Sequence, residues 1–298
     1  MRRRFGARYR FAVAQIRRRS GRQHRGRTAG VLLVVLAAIA AAGVSAAGNV
    51  DTRGARIVSF TVPSRLVHQA LAVAAVVPAG SSGKGRPLLV FLHGKGENQT
   101  SNLDDAMFAA LAGLGRRAPD IVFPYGGADS YWHDRASGDW GSYVEHELIP
   151  ATLRRLGADP SRVAIGGISM GGFGAFDIAR LHPGRYCAVG GHSAALWAQG
   201  GETAPGAFDD AADFARHDVL AAAEAADPYR GMAVWIDVGT LDPFRAADTQ
   251  LAQELRADGH RVQFHVWPGS HGQDYWQAHW AQYLRFYAGA LANCRPHG

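Results

Sequence analysis

The sequence predicts an α/β fold: a mostly parallel central sheet of about eight strands with helices on both faces. Three observations predict it. Short apolar runs such as "PLLVFLHG", "DIVFPYG", "RVAIGG" and "MAVWIDVG" recur, as expected of strands buried on both faces. Helix-like runs alternate with them, which calls for right-handed crossovers and parallel strands. Beyond an unusual N-terminal segment about 250 residues remain, a normal length for one domain with a large sheet.

That N-terminal segment comes first in the chain. Residues 1–30 hold eleven Arg and no Asp or Glu. The remaining residues carry 21 Lys and Arg against 25 Asp and Glu, so the formal charge of +7 belongs to the leader. The body is mildly acidic, which excludes nucleic-acid binding as its function class. "VLLVVLAAIAAAGVSAA", Val31 to Ala47, carries no charge. Basic, then apolar, then small residues is the layout of a secretory signal. A retained membrane tether through residues 31–47 fits the same stretch, although its length and Ala content suit a spanning helix poorly. Both readings make residues 1–47 an Arg-rich leader and place 48–298 outside the cytoplasm, secreted or attached to the outer face of the membrane.

In the body, "ARIVSFTVPS" and "HQALAVAAVVPAG" read as two strands joined by a short turn, and "SSGKGRP" as a loop. "PLLVFLHG" is a strand, "LDDAMFAALAGLGRRA" a helix and "DIVFPYG" a strand. "WGSYVEHELIPATLRRLGA" is helical in its spacing, with a kink expected at Pro150. "RVAIGG" is a strand, "GGFGAFDIARLHP" a helix and "YCAVGGHSA" a strand. Residues 197–230 break the rhythm and suit a cap insertion of short helices. "MAVWIDVG", "FRAADTQLAQELRADGH", "RVQFHVWPG" and "DYWQAHWAQYLRFYAGALA" complete a strand–helix–strand–helix run.

"RVAIGGISMGGFGAF" places Ser169 in G-x-S-x-G, between a strand and a helix. In so glycine-rich a chain the five letters arise by chance in roughly one sequence in five, so the context decides. A strand ending at Gly167 and a helix starting at once leave the serine on a sharp turn at the C-terminal edge of the sheet. A serine nucleophile needs a base, and the base needs an orienting acid. Asp242 follows the strand "VWIDVG" and His271 follows "VQFHVW", and parallel strands bring both loops to the same edge as Ser169. Asp237 is an alternative acid, but it lies within its strand. Ser193 also follows a strand, but no periodic helix follows it. An oxyanion needs amide donors. One is expected from Met170, after the nucleophile, and the other from Lys95 after "LLVFLHG", with Gly94 and Gly96 as alternatives.

"FLHGKGEN", "GISMGG", "GTLDPF" and "GSHGQDYW", in this order, resemble the α/β-hydrolase esterases over about residues 55–292. More narrowly they are similar to the esterase D-type branch, which includes bacterial carboxylesterases, feruloyl esterases and mycobacterial mycolyltransferases. The resemblance implies an α/β-hydrolase fold, a Ser169–Asp242–His271 triad and an acyl-enzyme. The mycolyltransferases usually carry Ser-Trp directly after the catalytic His. Here Gly272-Gln273 follow His271, which speaks against mycolyl transfer.

Other residues carry weaker signals. Trp132 and His133, in the loop "ADSYWHDRASGDW", are expected to line the acyl or alcohol pocket, while Trp140 is expected to pack under the next helix. His93 is expected to shape the oxyanion loop, and His265 to pack within its strand. Trp267 and Trp276 flank His271, with Trp276 at core phase. The scattered histidines form no metal motif, so no metal or other cofactor is expected.

Cys187 begins a strand, at the edge opposite the catalytic loops. The last helix starts near His271 and runs back toward that edge, bringing Cys294 to Cys187. A disulfide suits an exported chain, and a buried Cys187 beside a free Cys294 is the alternative. The expectation is an exported serine esterase acting on small-molecule, lipid or carbohydrate esters. Acyl transfer to an alcohol is the near alternative and a non-catalytic binding module the remote one.

Overall fold

The computed structural model describes residues 50–81 and 84–294; the leader expected over residues 1–47 lies outside the described residues. Eight strands form one sheet: β1 (Arg56–Ser64), β2 (Gln69–Val77), β3 (Leu88–Leu92), β4 (Asp120–Pro124), β5 (Val163–Ile168), β6 (Ala188–His192), β7 (Ala233–Gly239) and β8 (Val262–Trp267). Their order is β1-β2-β4-β3-β5-β6-β7-β8. β1 pairs antiparallel with β2, and β2 antiparallel with β4. Every other pairing is parallel.

The central strands explain the uninterrupted apolar runs. In β3, Leu88, Val90 and Leu92 join one core layer, and Leu89 and Phe91 join the other. A strand alternates its side chains between faces, so both must be apolar where helices cover both. α1 (Asp105–Gly113) and α8 (Gln273–Ala292) pack together and contribute to the layer that contains Leu89 and Phe91. α8 is the larger contributor: Trp276, Trp280, Tyr283, Leu284, Tyr287 and Leu291 recur at helical spacing and are all buried. Each such side chain stabilises the fold by about 1.5–3 kcal/mol relative to exposure. α3 (Ile149–Leu156), α4 (Met170–Leu181), α6 (Val219–Ala225) and α7 (Arg245–Ala257) contribute to the opposite layer.

Pro150 acts differently from the kink expected at it. α2 (Trp140–Tyr143) runs into a π turn over Val144–Leu148, and α3 follows directly. The Ile149 N–H reaches back to the Val144 carbonyl, five residues earlier. Proline supplies no N–H and its ring crowds the carbonyl four residues back; the wider π turn absorbs that misfit in the turn before it.

Residues 197–230 form a 3-10 turn at Gly200–Glu202, then α5 (Ala211–Arg216) and α6. Arg135 binds this segment: its guanidinium lies 2.6 Å from Asp209 and also donates to the Gly206 and Ala207 carbonyls. At the edge where β6–β8 begin, Cys187 and Cys294 are joined by a disulfide with a Cα separation of 5.4 Å.

Candidate active site

The C-terminal ends of β3, β5, β7 and β8 carry the loops that hold His93–Glu97, Ser169, Asp242 and His271. Ser169 occupies φ 55°, ψ −115°, a conformation that non-glycine residues rarely adopt. Such strain costs about 1–3 kcal/mol and persists only where surrounding bonds enforce it. Here the Ser169 N–H donates to the His192 carbonyl at 3.0 Å, and its own carbonyl accepts from Phe173 and Ala195, each at 3.0 Å. The flanking glycines are required by contact. A Cβ on Gly167 would stand 2.5 Å from the Gly171 backbone, and one on Gly171 would stand 2.1 Å from the Leu92 oxygen.

The structure brings the three expected residues together. His271 Nε2 lies 2.9 Å from Ser169 Oγ, and His271 Nδ1 lies 2.9 Å from Asp242 Oδ2. The imidazole is gripped edge-on by Phe244 and Trp276, with ring centroids 5.2 and 5.1 Å away. The Asp242 side chain is fully buried, while that of His271 is 25% exposed. Burial alone would raise the Asp242 carboxyl, but bonds from His271 and from the Phe244 N–H outweigh it and hold the group below the usual carboxylate range. Asp242 is therefore anionic at neutral pH, as an orienting acid must be.

Asp237 faces elsewhere. Its Oδ1 accepts from His192 and Trp235 at 2.6 and 2.7 Å, and its Oδ2 from the Tyr275 and Tyr283 hydroxyls at 2.9 and 2.8 Å. This buried carboxylate locks α8 to β6 and β7. Ser193 also has positive φ, 51°, but no helix follows it at once, and neighbouring His192 spends both ring nitrogens on Asp237 and Tyr287.

Of the three expected donors after β3, two are already engaged. The Gly94 N–H donates to Glu97 Oε2 at 2.8 Å and the Gly96 N–H to the Ala128 carbonyl at 2.7 Å. That leaves the Lys95 N–H. On the other side Met170 opens α4, where an N–H has no acceptor within its own helix. His93 braces the β3 loop. Its Nδ1 donates to the Gly94 carbonyl at 2.8 Å while Nε2 accepts from Gly126 at 3.1 Å. Burial pushes this imidazole down to about 4, so it stays neutral and its tautomer is set by these two partners.

Two expectations need correction. Trp132 and His133 do not line an open pocket: they are 0% and 1% exposed. The Trp132 indole N–H donates to the His93 carbonyl at 3.1 Å, making it a strut beneath the loop after β3. His133 Nε2 lies 3.1 Å from Asp213 of α5, so it fastens the 197–230 segment. Both pairings cross long sequence distances, so a polar aromatic loop at the catalytic edge did not reveal where its side chains turn. His265 packs against the Trp235 and Trp267 rings, at 4.5 and 4.8 Å.

The wall nearest the triad is one the sequence did not single out. Phe244 touches His271, Trp197 lies 5.5 Å from Phe244, and Tyr131 lies 5.7 Å from Trp197. Trp197 and Phe244, with Leu196, Ala204 and Ala247, line a cleft of about 440 Å³. Phe244 stands two residues after Asp242 in "GTLDPF", a signal that sequence reading passed over. A second cleft, about 1370 Å³, includes Cys187, Cys294 and the starts of β7 and β8; neither cleft is lined by a triad residue.

A strained serine after β5, Asp242 and His271 in the loops after β7 and β8, and an antiparallel pair leading a parallel sheet are the arrangement of the α/β-hydrolase fold. The family model described as "Putative esterase" matches residues 64–287, and the chain belongs to this family of esterase-type enzymes. The MPT51 antigen of Mycobacterium leprae (strain TN) is 30% identical over 172 residues; the match spans 54% of this chain and 54% of that relative, about half the length of each. A ferulic acid esterase structure superposes with a TM-score of 0.70 at 24% identity, covering 79% of this chain and 98% of that one. An S-formylglutathione hydrolase from Agrobacterium tumefaciens gives 0.64 at 20% identity, covering 80% and 96%. At these identities the two structures speak for the fold alone. Among the described residues no helix is long and apolar enough to cross a membrane.

Proposed function

We propose that this chain is an exported serine esterase that hydrolyses carboxylic esters through an acyl-enzyme. The observation that carries the reading is the continuous Ser169–His271–Asp242 chain, with both links at 2.9 Å. Ser169 Oγ attacks the ester carbonyl carbon as its proton passes to His271 Nε2. Asp242 holds the imidazole and stabilises its cation. The developing oxyanion is met by the Met170 and Lys95 N–H groups. Collapse expels the alcohol, which takes the proton from His271. Water, activated by the same imidazole, then attacks the acyl-enzyme and frees the acid.

The cleft lined by Trp197 and Phe244 holds no triad residue but meets His271 through Phe244, and we assign it to an apolar portion of the substrate. Export is supported by the Arg-rich and apolar composition of residues 1–47 and by the Cys187–Cys294 bond, which an oxidising compartment favours. Transfer to an alcohol uses the same triad; the 25% exposure of the His271 side chain lets water reach the base and favours hydrolysis. Labelling the purified chain with a fluorophosphonate and assaying p-nitrophenyl esters of graded length tests the proposal. Labelling at Ser169 with ester release is expected. Absence of both, in a folded protein, refutes it.

A further inference from the structure

Glu97 joins two loops that the proposed chemistry needs in register. Its Oε2 accepts from the Gly94 N–H at 2.8 Å, and its Oε1 accepts from Gln273 Nε2 at 2.5 Å. Gly94 precedes Lys95; Gln273 follows His271 by two residues and opens α8. Resting on the serine-esterase reading above, we propose that Glu97 is a positioning residue for that reaction. Its carboxylate clamps the oxyanion loop to the histidine loop, so that the Lys95 N–H meets the carbonyl oxygen of the same ester group that Ser169 Oγ, held by His271 Nε2, attacks.

The sheet does not supply this register by itself. The two loops follow β3 and β8, and β5, β6 and β7 lie between those strands, so no ladder bond connects them. The other bonds on the β3 loop run elsewhere: His93 to Gly126, Trp132 to the His93 carbonyl, and Gly96 to Ala128. Glu97 reaches Gln273, two residues beyond His271, whereas the other link from this connection to α8, from the Trp280 indole N–H to Asp104 at 3.4 Å, lies farther along both segments. It also places a carboxylate by the N-terminus of the twenty-residue α8, where negative charge is favoured. Burial pushes the Glu97 carboxyl up, while the Gly94 and Gln273 bonds and the field of His271 oppose that rise.

The test compares the full chain with its Glu97→Ala and Glu97→Gln variants on one p-nitrophenyl ester. Glu97→Ala is expected to lower kcat roughly 10- to 100-fold with KM changed by less than about threefold, the pattern of lost alignment. Glu97→Gln is expected to recover most of that loss, because its amide oxygen still accepts from Gly94 and its NH₂ meets Gln273 once that amide turns over. A Glu97→Ala chain that unfolds like wild type and keeps wild-type kcat overturns the clamp. Should Glu97→Ala not fold, Gln273→Ala removes the cross-loop bond alone; the same loss of kcat at little-changed KM is expected, and wild-type kcat in that variant overturns the clamp equally. These results leave the esterase reading standing. A wild-type chain that neither hydrolyses nor labels removes that reading and the clamp's role with it.

Discussion

Asp237 and Asp242 lie five residues apart yet serve different structures: Asp242 Oδ2 stands 2.9 Å from His271 Nδ1, while Asp237 turns to His192 at 2.6 Å and to two tyrosines of α8. Asp237 lies inside β7 and Asp242 in the loop beyond it. Asp242→Asn removes the charge that orients the base, so kcat should fall on the order of a hundred- to ten-thousand-fold with the thermal midpoint little changed. Steady-state kinetics beside a melting curve check this.

Asp237→Asn should instead act on stability. The buried carboxylate accepts four bonds, and an amide offers its NH₂ where two hydroxyl donors already point. Burial and the charge of Asp237 keep Tyr275 and Tyr283 protonated, hence donors. A loss of about 3–5 kcal/mol is expected in urea unfolding. If Asp237→Asn instead abolished turnover at unchanged stability, the orienting acid would have to be reassigned.

Ser169→Ala should abolish fluorophosphonate labelling and reduce turnover to what the oxyanion site and binding alone provide. It also replaces a residue held at φ 55° by one no happier there, so folding stability should stay close to wild type. Full activity in this variant contradicts the mechanism.

The neutral His93 makes stability depend on pH. Its folded value lies at about 4, below the unfolded 6.5. Only the unfolded chain takes up the proton in that window. The contribution is therefore complete above pH 6.5 and is lost progressively as pH falls toward 4, by up to ~3 kcal/mol. His93→Asn, which cannot titrate, should flatten that part of the stability curve. Urea midpoints of both proteins through the window decide; equal slopes would contradict it.

Cys294→Ser should lower the thermal midpoint without touching the triad, since the bond closes a separation of 107 residues at the far edge. The chain-entropy model puts the loss at up to about 4.7 kcal/mol. Mass spectrometry of the non-reduced exported protein should find no alkylatable thiol; two thiols would mean the bond is not made.

Apolar periodicity and turn chemistry were enough to read the α/β class, the strands and the turn at Ser169 from the sequence. Uninterrupted apolar runs such as Leu88–Leu92 encode burial on both faces, and glycines two residues either side of a serine encode close backbone approach. Parallel strands then fix which loops share an edge, so Ser169, Asp242 and His271 were legible as neighbours before any distance was known. Tertiary structure decided which way loop side chains turn. Trp132 faces His93 and His133 faces Asp213, 39 and 80 residues away. Glu97 and Ala128 take the amides of Gly94 and Gly96, on either side of Lys95. Glu97 meets Gln273 across 176 residues. No local pattern carries such pairings, because a loop side chain takes its direction from whatever polar group the folded chain brings within reach, and that is set only when the sheet is complete.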